Sequence, residues 1–168
     1  MGDYLKLAGG VPSNANALAA SAGAADAGKI PKLDGTGKID ATMMPAGVGA
    51  ETRIIIASEA LAAGDLVNIH SSTGAKVRKA DATTAGKEAH GFVLASVISG
   101  GNATVYPEEN VISALTGLTP GTRMFLAATA GLNTATAPVT TGQVVQDIGV
   151  ALSATEILFR PRQPITLA

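Results

Sequence analysis

Two histidines, His70 and His90, are the residues of this chain most readily enlisted in chemistry. They fall at the end of one predicted strand and the start of another, with Asp65, Asp81 and Glu88 close in sequence. Two imidazoles and a carboxylate can bind zinc, but this spacing matches no compact ligand motif. A polar residue at a strand rim is the simpler reading, and no metal is assigned. Gly23-Ala-Ala-Asp-Ala-Gly28-Lys29 has the spacing of a phosphate-binding loop. Ile30 stands where the metal-binding Ser or Thr belongs, no apolar strand precedes the glycines, and Pro31 opposes the helix that should follow. Glu108 and Glu109 are adjacent carboxylates at a strand end, where neighbouring side chains point apart and cannot flank one substrate bond. There is no Gly-x-Ser-x-Gly motif and no Cys, so the common nucleophile signatures and disulfides are absent. No catalytic or cofactor-binding residue is assigned, and neither enzymatic activity nor a cofactor is expected.

Two basic clusters remain. Lys76, Arg78 and Lys79 lie on one predicted hairpin and are read as the charged guard of a solvated edge strand. Arg160 and Arg162, near the C-terminal end, are read as a possible interface. Few aromatic residues accompany either cluster, so a base-stacking surface is not expected.

The composition points the same way. Net charge is -1 in 168 residues, which gives no electrostatic reason to expect nucleic acid or an anionic membrane as partner. Charged residues make up 15% of the chain, against an ordinary share of about 25%. Aromatic residues make up 3%, so the core must be built from Val, Ile, Leu and Met. A surface so thinly charged fits a protein that packs against copies of itself or a large partner. The apolar runs fall short of the roughly 18 residues a membrane helix needs. Met1-Gly-Asp-Tyr-Leu-Lys-Leu lacks the basic-then-apolar pattern of a signal peptide, and export by such a signal is not expected.

The elements that must position these residues divide into two parts. Residues 1–52 are rich in Ala and Gly and read as an extended arm, with a short helix open to Asn14–Ala27 on Ala propensity alone. In this arm Ile30, Leu33, Ile39, Met43 and Met44 are spaced by Pro, Gly and charged residues, and would gain order in the grooves of a neighbour. Residues 53–168 read as a β domain. Strands are predicted at Arg53–Ala57, Asp65–His70, Ala75–Ala80, Gly91–Val97 and Ala103–Tyr106. Further strands are predicted at Arg123–Ala127, Leu132–Ala135, Val144–Gln146, Gly149–Leu152 and Ile157–Arg160, with Val111–Leu115 as a bridge. Turns recur every 8–12 residues or so, the rhythm of a sandwich or small barrel. The domain also repeats itself at an offset of about 57 residues, with 59–110 matching 116–166. Gly64-Asp-Leu-Val and Gly91-Phe-Val-Leu-Ala return as Gly121–Leu126 and Gly149-Val-Ala-Leu. The expected fold is all-β, a compact sandwich or small barrel of two similar units behind an extended arm.

Lys32-Leu-Asp-Gly-Thr-Gly-Lys-Ile-Asp-Ala-Thr-Met-Met-Pro45 resembles the K-x-D-x-x-G-K-I-D-x-x-x-x-P linker of tailed-bacteriophage virion proteins. Leu118-Thr-Pro-Gly-Thr-Arg-Met-Phe-Leu126 resembles an L-T-P-G-x-x-Y-Y-L element of phage head and fibre modules, with Met124 and Phe125 in place of the Tyr pair. The repeated Gly turn, strand and Gly-led strand are similar to small phage capsid decoration (cement) proteins. That resemblance implies a non-enzymatic protein on the outer capsid surface of the virion, made in the host cytoplasm. Its partners would be the major capsid protein and itself, as a trimer or dimer, with neither nucleic acid nor membrane. Ile30, Leu33, Ile39, Met43 and Met44 would be the capsid contacts of the arm. The linker motif also occurs in fibres, so the alternative is a tail-fibre or head-fibre module that binds host-surface glycans.

Overall fold

The structure, a computed structural model, describes residues 3–35, 37–44, 51–113 and 115–168. It divides into two compact units, Met1–Gly49 and Ala50–Ala168.

The first unit begins with an antiparallel hairpin of β1 (Tyr4–Ala8) and β2 (Val11–Ala15). Its turn is Gly9-Gly10, both at positive φ (61° and 83°), as a two-residue turn matching strand twist requires. No α-helix forms over 14–27. The strand runs to Ala15, Leu18 bridges to Pro31, and only a 3-10 turn, Ala24–Asp26, is helical. Local polar chemistry outcompetes Ala propensity here: the Asp26 carboxylate accepts the Ala22 amide at 2.6 Å and pairs with Lys29 at 2.7 Å. The hairpin is tied to the following chain by Asp3, which accepts the Ala17 amide and the Lys32 ammonium, both at 2.9 Å.

The second unit is all β. Its first repeat holds β3 (Arg53–Ala57), β4 (Leu66–Ser71), β5 (Ala75–Lys79), β6 (Gly91–Phe92) and β7 (Asn102–Val105). They lie in the order β6-β4-β5-β3-β7. Phe92 and Tyr106 then exchange backbone hydrogen bonds of 3.1 and 2.9 Å, which joins the two outer strands and closes the sheet into a ring. All its pairings are antiparallel except β3 with β5. The second repeat holds β8 (Val111–Ile112), β9 (Arg123–Leu126), β10 (Asn133–Thr134), β12 (Asp147–Ala151) and β13 (Ile157–Phe159), in the order β10-β9-β12-β13-β8. A short side pair, β11 (Val144–Val145) with β14 (Ile165–Thr166), completes the unit.

Matching β3, β4, β5, β6 and β7 to β8, β9, β10, β12 and β13 gives the same order when both are read cyclically. The structural repeat therefore begins at β3, ahead of residue 59. Two expectations need correction. The apolar run from Gly91 is a strand only at Gly91–Phe92; Val93 is buried but leaves the ladder to bond Asp65 and Gly64, and Val97 makes a lone bridge to Leu61. Apolarity there reports burial, not strand pairing. And β5 is no edge strand, because β4 and β3 pair with its two sides.

The two repeats share one core. Leu66 and Phe92 of the first pack with Ile112, Leu126, Ile157 and Phe159 of the second, all fully buried. Phe92 stacks on Tyr106 (centroids 5.4 Å apart) and meets Phe159 edge-on (5.5 Å). A smaller cluster, including Val67, Val77, Val93 and Val105, fills the first ring. Backbone hydrogen bonds stitch the junction, among them Leu66 amide to Gly131 carbonyl and Gly131 amide to Ala80 carbonyl, both 2.8 Å.

Candidate binding surfaces

The histidines are brought to opposite ends of local hydrogen-bond tasks, not to one site. His70 Nε2 lies 2.9 Å from Ser58 Oγ, and that hydroxyl is also 3.0 Å from the Val77 carbonyl. His90 accepts the Ile69 amide on Nδ1 at 3.0 Å, capping β4 where β6 is too short to pair with it. Among the described residues no group of three His, Asp or Glu side chains is placed to hold a metal ion. In the Gly23–Lys29 segment the Lys29 ammonium is engaged by Asp26, and the backbone is a 3-10 turn.

Two residues of the first basic cluster, Arg78 and Lys79, are engaged within the fold. Arg78 donates to the buried Asn68 Oδ1 at 3.0 Å and to the Gly86 carbonyl at 2.7 Å. Lys79 pairs at 3.1 Å with Asp65, a buried carboxylate that also accepts the Ala62 amide. Asp81 is the other buried carboxylate among the described residues. Burial pushes its carboxyl up, but the Thr83 hydroxyl, the Lys87 ammonium and the Thr83 amide outweigh this and hold it below its ordinary 3.8.

The second cluster stays at the surface. Arg160 donates through Nε and Nη2 to Glu109 Oε2 at 2.9 and 2.7 Å, so part of the expected interface charge is answered within the chain. Arg123, Arg160, Arg162 and Asp147 line a depression of about 260 Å³ on the outer face of β9, β12 and β13. Arg162 also borders a neighbouring depression with Glu88 and His90.

Large aliphatic side chains form the other surface. Ile30, Leu33, Ile39 and Met44 are exposed, and Met43 is half-buried beside Leu18 and Pro31. The hairpin adds Leu5, Leu7 and Val11, which were not among the expected contacts. Their signal was present as alternation around Gly9-Gly10. On β3, Ile54 and Ile56 point outward beside Thr104 and Asn102 of β7. The aromatic rings are placed otherwise: Phe92 and Phe159 are fully buried, Tyr106 is stacked on Phe92, and Tyr4 and Phe125 are half-buried.

Among the described residues no helix is long and apolar enough to cross a membrane. No protein-family model matches the chain, and no curated protein matches it.

Proposed function

We propose that this is a non-enzymatic virion structural protein that binds the outside of a phage capsid and stabilises contacts between major capsid subunits. One observation carries the reading. In the first unit Leu5, Leu7, Ile30, Leu33, Ile39 and Met44 are 41% to 72% exposed, while Ala17 is the one described apolar side chain there that is buried. Full burial of such side chains against a partner is worth about 1.5–3 kcal/mol each, and ordering the segment offsets part of that. The second unit supplies a rigid body with its own core to carry the segment, and assembly as a dimer or trimer belongs to the same proposal. The fibre reading finds less support, since a sugar platform needs exposed rings, and Phe92 and Phe159 are in the core while Tyr4, Tyr106 and Phe125 are half-buried.

The test is to add purified protein to capsids that lack it. Saturable binding with a gain in resistance to heat or chelator is expected. No binding, or binding without that gain, overturns the proposal.

A further inference from the structure

The repeats can be laid on each other at their paired glycines. Gly91 stands opposite Val67 of β4, and Gly149 stands opposite Met124 of β9. The next rung of the first repeat then runs Leu66, Phe92 and Tyr106. In the second repeat it runs Arg123, Val150 and Leu158, across β9, β12 and β13. The first rung is an interface within the chain. Leu66 and Phe92 are fully buried, and Tyr106 packs beside them, in the core shared with Ile112, Leu126, Ile157 and Phe159 of the second repeat. The second rung faces outward: Val150 and Leu158 are half-buried, and the Arg123 side chain is 70% exposed.

That rung lines the depression of about 260 Å³ that Arg160 and Arg162 also border. Three guanidiniums stand around it, and two carboxylates answer them. Asp147 Oδ2 lies 3.4 Å from Arg123 Nε, and Glu109 pairs with Arg160 at 2.7 Å. Asp147 is also committed elsewhere, since its Oδ1 accepts the Gly149 amide at 2.9 Å. Arg160 keeps 59% of its side chain exposed even while paired. Three cations against two anions leave one positive charge, and among the described residues the Arg162 guanidinium has no hydrogen-bond or ion-pair partner.

We propose that this face binds an acidic segment of a partner protein, one in which carboxylates flank an apolar side chain. The apolar side chain lies on Val150 and Leu158, the places that Phe92 and Tyr106 hold in the covered rung of the first repeat. The carboxylates take the planar forks of Arg162 and Arg123, which match a carboxylate in shape as well as charge. A half-buried aliphatic floor inside a rim of arginine is how protein interfaces are commonly built. Nucleic acid fits less well. Glu109 and Asp147 interrupt the positive charge that a run of phosphates needs, and none of the residues lining the depression is aromatic, so no ring can stack on a base. The inference does not depend on the capsid reading.

The probe is a fluorescein-labelled Gly-Ser-Glu-Leu-Glu-Ser-Gly peptide, titrated into the full-length protein by anisotropy. Saturable binding is expected, with NMR amide shifts centred on Arg123, Gly149 and Val150. It should weaken as NaCl rises from about 50 mM to about 500 mM. Arg162→Gln, at an exposed side chain with no internal partner to lose, should weaken binding about fivefold. The same peptide with Gln in place of both Glu should lose saturable binding. No saturable binding of the Glu peptide, equal binding of the Gln peptide, or unchanged affinity in both Arg162→Gln and Arg123→Gln overturns the proposal. A single-stranded oligonucleotide that binds more tightly than the Glu peptide at the same salt overturns the choice of a protein partner. If the protein alone forms oligomers that Arg162→Gln dissociates, the occupant is a second copy and the assignment to a different protein falls. Capsid binding is read in a separate assay, so either idea can fail alone.

Discussion

Among the described glycines, Gly149 has the least room for a side chain. β12 shifts register between Asp147 and Gly149, and a Cβ at Gly149 (φ 133°) would fall 1.9 Å from the Leu158 carbonyl oxygen. Gly91 holds the matching place in the first repeat, where a Cβ would meet the Tyr106 carbonyl oxygen at 2.7 Å. Gly149→Ala is expected to cost more than about 3 kcal/mol, since backbone must yield, measured by urea unfolding. Gly74→Ala, at positive φ but in open space, is expected to cost about 1–2 kcal/mol. Asp81 gives a pH signature. Its folded pKa lies below the unfolded value of 3.8, so its stabilising effect is present above that value and lost as pH falls through the lower folded one. The stability difference between wild type and Asp81→Asn should therefore shrink between pH 6 and pH 3; a constant difference would contradict the assignment. The paired glycines were legible in the sequence because they recur at the repeat offset. The partners of Asp65, Arg78 and Arg160 were not, since folding brings them from up to 51 positions away.

At the scale of elements, strand positions were largely readable. Alternation and turn residues located β3, β4, β5, β9 and β13 to within a residue or so. Pairing was not readable, because nothing local says that β3 runs parallel to β5 or that Tyr106 closes the ring on Phe92. Nor was the pin between the repeats. The buried Gln146 accepts the Ala89 amide at 2.7 Å and donates to the Ala89 carbonyl at 3.0 Å, imitating one rung of a sheet with a side chain. Gln146→Leu strands both backbone groups and is expected to cost about 2–4 kcal/mol in denaturant unfolding. The two repeats should still unfold in one transition in that variant, because Phe92 and Phe159 remain in the same core.

For the whole molecule, the chain divides its labour between a first unit poor in buried apolar surface and a second unit with a continuous core. Composition shows large apolar side chains recurring with strand spacing after Arg53. It did not anticipate the hairpin, whose apolar residues have no core of their own to join. If the capsid proposal holds, a chain beginning at Glu51 should retain its β fold by circular dichroism and lose most of its capsid affinity. Equal affinity would remove the first unit from the binding account.

The parallel pairing of β3 also has a mechanical side. β3 is the first strand of the second unit, and its neighbours β5 and β7 hold it on both flanks. A pull on the chain from residue 52 acts along the strand axis, across the ladder hydrogen bonds. The bonds on both flanks then share the load in shear, where a terminal hairpin pulled outward would open one rung at a time. The parallel seam of the first ring is thus also the place where the body would take tension from the segment ahead of it.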